Sequence, residues 1–323
     1  MRGRGRSIGV AACCALLLSG VAAAAGASTV GASAEPGLAP VTLAGHRYLV
    51  RPHSRAGVKA IVAGARPAIS TLAVRSSARK GVVTPKPAVY VVFWGSQWSN
   101  DPAGAAAALQ QFFAGLYGAP DTWGTILSQY CEGVPEGTTN CAGQGIPVVH
   151  PTQSTLRGVW FDNAAAAPRK ATANQLAAEA VAAAEHFGNT TQKLNLDAQY
   201  VVASPTGTHP DGFPRTGFCA WHNFTSSPDG NVAYTNLPYV PDLGVGGCTT
   251  IRTPTALDGD FSTETHEYAE TVTDPWPLRG WSASGSEIGD ECVQLDARLT
   301  LATGTFDVQG LWSNAANGCT TTG

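Results

Sequence analysis

The sequence predicts a mixed α/β (or α+β) domain, and three observations lead there. Two apolar runs, over 88–94 and 199–203, are rich in β-branched and aromatic residues and read as buried strands. Segments of helical periodicity lie between and after them. Six Cys in the body of the chain read as disulfides that pin its loops.

The elements follow in order. Ala88-Val89-Tyr90-Val91-Val92-Phe93-Trp94 is a continuous strand ended by Gly95. Asp101-Pro102 opens a helix with Pro in its first turn. Leu109, Phe112, Phe113, Leu116 and Tyr117 recur at helical spacing until Gly118-Ala119-Pro120 stops them. A second helix is expected over 122–130. A third is expected over 172–187, with Leu176, Ala180, Ala184 and Phe187 on one face and Gly188 as C-cap. The second strand, Gln199-Tyr200-Val201-Val202-Ala203, comes next. Beyond Ser204 the chain turns rich in Gly, Pro and aromatics, the composition of irregular loops that wall a cleft. Strand, helix, helix, strand and a further helix make one mixed-sheet domain over 86–323.

The N-terminus reads as a secretory signal over 1–34. Arg2, Arg4 and Arg6 precede an apolar, small-residue stretch over 8–25. Two A-x-A sites follow, Ala25-Gly26-Ala27 and Ala32-Ser33-Ala34. The order is that of a cleaved signal, and Gly and Ser interrupt the stretch too often for a membrane anchor. The expectation is a secreted, extracellular protein whose mature N-terminus is Ser28 or Glu35. Residues 35–85, rich in Ala, Val, Arg, Ser and Pro, are expected as a flexible extension or propeptide, with one strand within 41–50.

Cleavage removes three Arg and no acid, moving the formal net charge from −3 to −6. A mildly acidic chain is not built for nucleic acid or anionic lipid. With 44% hydrophobic residues it can fill a core. Cys13 and Cys14 leave with the signal. The other six allow fifteen pairings, and the sequential set is preferred: Cys131 with Cys141, Cys219 with Cys248, Cys292 with Cys319. Cys131 and Cys141 flank a Gly/Pro/Thr-rich loop. A zinc-thiolate site is disfavoured because no CxxC occurs. There is no internal repeat, P-loop, GxGxxG in strand–helix context or G-x-S-x-G elbow, so neither nucleotide nor serine-hydrolase chemistry is indicated.

The chemistry-bearing segment is Thr263-Glu264-Thr265-His266-Glu267-Tyr268-Ala269-Glu270-Thr271-Val272-Thr273-Asp274-Pro275. It predicts a helix from about Ser262, capped by Asp260 or Ser262 and ended by Pro275. His266 and Glu270 are one turn apart and share a face, with Glu267 beside His266. This is the H-E-x-x-H layout of zinc hydrolases with Glu for the second His. In that layout the i and i+4 residues ligate the metal, and the intervening Glu takes a proton from the water the metal activates. Glu287 and Asp290 lie 17 and 20 residues beyond Glu270. Glu287 is the preferred third ligand, with Asp290 a ligand or an orienting partner of His266. A helix pair followed by a carboxylate at this distance resembles the thermolysin-like zinc peptidases.

With seven His and ten Glu, H-E-x-x-E arises by chance only about 0.007 times. The competing reading is an acidic helix face with Glu264, Glu267 and Glu270 in water. One His with two carboxylates neutralises most of a Zn²⁺ charge, which admits Mn²⁺ or Ca²⁺ as alternatives to zinc. His222 is a candidate additional ligand or a packed, hydrogen-bonded His. His209 is expected as a loop residue, and Trp276 and Trp281 as core or lid aromatics.

Other segments agree in order with one family. His266-Glu267-Tyr268-Ala269-Glu270, Asp274-Pro275, Gly280-Trp281 and Glu287-Ile288-Gly289-Asp290-Glu291-Cys292 resemble the signature of the phosphate-induced, EXORDIUM-like secreted proteins. Trp94-Gly95, Gln129-Tyr130, Tyr200-Val201-Val202-Ala203-Ser204-Pro205 and Phe218-Cys219-Ala220-Trp221-His222 extend the resemblance over about residues 86–295. It implies secretion and a real site. Plant members are extracellular and linked to growth responses, and similar bacterial chains are read as metallopeptidases. The sequence therefore points to a secreted metal-dependent hydrolase, a zinc endopeptidase acting on protein or peptide. His266, Glu270, Glu287 and Asp290 are the metal residues and Glu267 the general base. The alternative is a non-catalytic extracellular protein that binds cell-wall material or a signalling partner and keeps a structural metal.

Overall fold

The run over 88–94 is apolar without alternation because its strand lies inside a sheet covered on both faces. The computed structural model describes residues 39–50, 71–76, 82–293 and 295–323. The described chain begins with a hairpin of β1 (Ala39–Leu43) and β2 (His46–Val50), then a short strand β3 (Ala73–Val74). Next come β4 (Ala88–Trp94), α1 (Ala105–Gly115), the two-residue strands β5 (Cys131–Glu132) and β6 (Ile146–Pro147), and β7 (Leu156–Asp162). They lead to α2 (Ala173–His186), the single turn α3 (Gln192–Asn195), β8 (Ala198–Ala203), β9 (Trp221–Ser227) and β10 (Gly230–Leu237). The helix α4 (Asp258–Thr273) and β11 (Trp281–Ser282) follow. Two hairpins close the chain, β12 (Asp296–Leu301) with β13 (Gly304–Gln309) and β14 (Leu311–Ser313) with β15 (Gly318–Thr320).

The main sheet has the order β7-β4-β8-β10-β9; the first four strands run parallel and β9 runs antiparallel to β10. This is the mixed α/β fold the strand and helix patterns predict. Its two faces feed two cores. Val89, Val91 and Phe93 of β4 join Val201 and Ala203 of β8 against α1 and α4. Val92 and Trp94, with Tyr200 and Val202, face the Ala-rich α2. A capping box starts α2: the Thr172 side chain accepts from Gln175 N and the Gln175 side chain accepts from Thr172 N.

Three helix expectations shift. Asp101 does open α1, but as a side-chain acceptor for Ala105 N and Ala106 N, so the helix begins at Ala105 and not at Pro102. The segment expected as a helix over 122–130 is a 3₁₀ helix, Gly124–Gln129. Asp121 holds Gly124 N at 2.7 Å and Ile126 N bonds Trp123 O, so the turn tightens to i+3 bonding. The site helix begins at Asp258, a turn before expectation. Neither Asp260 nor Ser262 caps it: Asp260 accepts Val240 N, and Ser262 donates to Asp296.

Residues 35–85, expected as a flexible extension, are fastened to the body wherever they are described. Leu43 and Val50 of the hairpin are buried in the core against α2. β3 pairs with β11, and Leu72 exchanges hydrogen bonds with the Asn314 side chain. Val82 N and Val83 N both donate to Glu132 Oε2. Apolar Leu43, Val50 and Leu72 have found core partners, which a reading from overall composition does not anticipate. The signal segment over 1–34 and the rest of the extension (35–38, 51–70, 77–81) lie outside the described residues. Among the described residues, no helix is long and apolar enough to cross a membrane.

The three disulfides are Cys131–Cys141, Cys219–Cys248 and Cys292–Cys319. The last joins the 3₁₀ turn Asp290–Cys292 to β15 across 27 residues. Replacing both Cys292 and Cys319 by Ser is expected to cost about 3–4 kcal/mol on a chain-entropy estimate. The cost is read as a lower urea midpoint, with a slope that rises as the unfolded chain loses its cross-link. An unmoved midpoint would show that the bond adds nothing to the fold.

Candidate metal centre

The helix α4 is polar in composition and yet buried along all its 16 residues. Phe261, Tyr268, Ala269 and Val272 form its apolar stripe in the core shared with Phe306 and Val308 of β13. The other side packs on β9 and β10. The acidic residues therefore do not face water: Glu264 is 0%, Glu267 2% and Glu270 3% exposed. The solvated-face reading of this helix is overturned by that burial.

Glu270 stands one turn after both His266 and Glu267, and its two oxygens serve different partners. Oε1 lies 3.0 Å from His266 Nε2. Oε2 lies 3.4 Å from Nδ1 of His222, which β9 supplies near its start. The same His222 Nδ1 is 3.3 Å from Glu267 Oε2. Asp290 enters from the 3₁₀ turn, with Oδ1 3.9 Å from His266 Nε2 and its backbone N–H donating to Glu270 Oε1 at 3.1 Å. Two trios result, His222–Glu267–Glu270 and His266–Glu270–Asp290, each with its ligand atoms within 4.8 Å of one another.

Glu287, expected as the third ligand beside His266, sits instead by His222, with Oε1 3.6 Å from Nε2. The 3₁₀ turn causes the exchange: Glu287 N donates to Asp290 Oδ2, which turns Asp290 inward beside His266. Gly289 makes the approach possible, since a Cβ there would lie 2.6 Å from His266 Nδ1.

Both imidazoles are oriented from behind. Gln309, which sequence reasoning missed, donates from Nε2 to Gly289 O at 2.8 Å, so its Oε1 faces His266 Nδ1 at 3.1 Å. His266 thus gives its Nδ1–H to an amide oxygen and turns Nε2 toward carboxylates. His222 Nε2 lies 3.2 Å from the Asp274 carbonyl oxygen, which leaves Nδ1 for Glu267 and Glu270. A ring nitrogen tied to a neutral oxygen with its partner facing acids is the usual back-support of a metal-binding His.

Burial lowers the His266 imidazole, but Glu270, Glu267 and Asp290 outweigh it and push it up to about 10. His222 moves the same way, with burial overcome by Glu287, Glu267 and Glu270. Burial, with the Glu270 charge adding, raises Asp290 to about 7 and Glu287 well above the usual carboxylate range. Glu264 is also raised well above that range, by burial and then by Glu267, and neither of its oxygens has a hydrogen-bond partner. Glu287 Oε1 is buried without a hydrogen bond as well. Without an ion, charged imidazoles and protonated acids balance this cluster; with its protons gone, the same His and carboxylate atoms could hold a divalent cation.

Typical metal–ligand bonds of about 2.0–2.2 Å place the donors of one tetrahedral ion about 3.3–3.6 Å apart. The contacts of 3.0, 3.3 and 3.4 Å fall at or just below that spacing, and the 3.9 Å from His266 to Asp290 just above it. Imidazole plus carboxylate donors suit zinc and manganese alike. The other aromatic and His candidates resolve simply. Trp281 is a core residue whose Nε1–H donates to Cys131 O. Trp276 is half-buried against Phe224, with the Arg279 guanidinium over both rings. His209 lies in a loop and bonds the Arg169 carbonyl through its backbone.

No known protein family, curated protein or solved structure matches this chain.

Proposed function

We propose that this chain is a secreted, metal-dependent hydrolase, a zinc endopeptidase related to the EXORDIUM-like proteins it resembles. One observation carries the reading. The Nε2 of His266, turned inward by the bond from Nδ1 to Gln309, faces carboxylate oxygens of Glu270 and Asp290. These three residues would hold the cation, with Mn²⁺ as the alternative ion. A bound divalent cation supplies Lewis acidity, polarising a scissile carbonyl and lowering the pKa of nearby water. Glu267, on the same helix and next to His266, would be the group that accepts a proton from the attacking water. His222 orients the Glu267 carboxylate through Nδ1, and the Asp274 carbonyl fixes the ring from the other side. The three disulfides agree with an oxidising, extracellular setting.

A second reading has its own support. Only Glu287 and Asp290 open to solvent at the centre's edge, with side chains 12% and 15% exposed. A closed centre is the habit of structural metal sites, and it favours a non-catalytic protein that binds cell-wall material or a partner. Elemental analysis of protein purified without added metal, beside a broad peptide-library digest, separates the two. The hydrolase reading expects bound zinc or manganese and cleavage that a chelator abolishes and added metal restores. Bound metal without cleavage would leave the structural reading standing.

A further inference from the structure

We propose that the centre holds two divalent cations bridged by Glu270, with His222 and Glu267 forming the second subsite. The inference builds on the metal-centre reading above and adds an ion to it. The two imidazoles are prepared in the same way. His266 ties Nδ1 to the Gln309 amide oxygen and presents Nε2; His222 ties Nε2 to the Asp274 carbonyl and presents Nδ1. Each presented nitrogen meets two carboxylate oxygens, from Glu270 and Asp290 in one case and from Glu267 and Glu270 in the other. The two trios share only Glu270, and they use different oxygens of it, Oε1 for His266 and Oε2 for His222. A carboxylate that sends each oxygen to a different imidazole has the shape of a bridging ligand. Carboxylate-bridged ions sit about 3.5–4 Å apart in two-metal hydrolytic centres.

Charge supports the count. With both imidazoles neutral and the carboxyls ionised, Glu267, Glu270, Glu287 and Asp290 carry four negative charges, all at least largely buried, and Asp274, held by three backbone N–H groups, a fifth. One divalent cation leaves most of this charge uncompensated in a low-dielectric interior, and a second takes up more of it. Glu287 stands behind the same His222 ring, not in the subsite: its Oε1, buried without a hydrogen bond, lies 3.6 Å from Nε2, the nitrogen tied to the Asp274 carbonyl. Glu267 meets this subsite through Oε2 alone, which leaves its other oxygen to accept a proton.

The test is a metal count made without substrate. The full-length secreted chain is stripped by chelation, dialysed against Mn²⁺ or Zn²⁺, and assayed for bound ion, with circular dichroism on every variant. Wild type should bind two equivalents, His222→Ala one and His266→Ala one, while Glu270→Gln should weaken both. Electron paramagnetic resonance of the Mn²⁺ form should show a spin-coupled pair in wild type and isolated ions in folded His222→Ala. One equivalent in wild type, or isolated Mn²⁺ at saturation, would overturn the second subsite even if every variant misfolds. The hydrolase reading fails separately: two ions without peptide cleavage sink that reading alone, and cleavage with one ion sinks this one alone.

Discussion

Glu267→Gln is expected to lose peptide hydrolysis by about a hundredfold or more, the scale of a general base, while keeping the cation held by His266, Glu270 and Asp290. Gln matches Glu in size and still fills the buried place beside His222, where Glu267 Oε2 lies 3.3 Å from Nδ1. It cannot take a proton at any working pH. A fall in kcat with the wild-type number of bound ions and an unchanged melting profile isolates proton transfer from binding and folding. If the variant cleaves within a few-fold of wild type, Glu267 is not the base. Glu264→Gln, on the face that composition alone reads as solvated, is not a surface substitution. Glu264 is wholly buried and both its oxygens lack hydrogen-bond partners. Burial and then the nearby Glu267 push its carboxyl well above the usual range, toward the neutral form that the amide closely matches in shape.

Two strands of the main sheet, β4 and β8, the long helices and the H-E-x-x-E pair were legible because they depend on local pattern; β7 was not, nor were β9, β10 and the closing hairpins, which stand where irregular loops were expected beyond Ser204. Ala88–Trp94 and the Ala-rich segment of α2 each state their own environment through spacing and composition. What the sequence withheld depended on distant chain. The burial of α4 comes from β13, some forty residues on, closing over a helix whose composition alone reads as a solvated face. Gln309 carries no motif; it matters because the β12–β13 hairpin brings it behind His266. The exchange of Glu287 for Asp290 turned on a 3₁₀ turn and on Gly289, whose missing Cβ lets that turn meet the imidazole. Counting residues from Glu270 offered both acids and could not say which pointed where.

Removing the metal with a chelator is expected to lower the melting temperature, and the drop should widen as pH rises from 5 to 8. The metal-free centre favours low pH. Burial first, then neighbouring acids, raises Asp290 to about 7 and lifts Glu287 and Glu264 well above the usual range. Asp274 rises to about 6 by burial, against the backbone N–H of Gly280. In this window the folded chain binds more protons than the unfolded one, so stability falls as pH climbs. His266 acts in the same direction. Raised to about 10, it contributes fully below its ordinary 6.5 and loses that contribution as pH rises toward 10. Glu270 is the exception: burial opposes its charge, but His266 and His222 hold it well below the carboxylate range. Its stabilisation is present above its ordinary value and lost only in stronger acid, outside this window. The loaded centre behaves oppositely, because a cation needs ionised carboxylates and neutral imidazoles and binds more tightly as protons leave. Metal at about a thousand times its dissociation constant adds about 4 kcal/mol, on the order of 10 °C for a chain of this size. That gap is expected near pH 8, with only a few degrees remaining at pH 5. Calorimetry of chelated and zinc-reloaded protein at pH 5, 6, 7 and 8 reads it directly, and a gap that stays flat or narrows with pH would place the cation away from these acids.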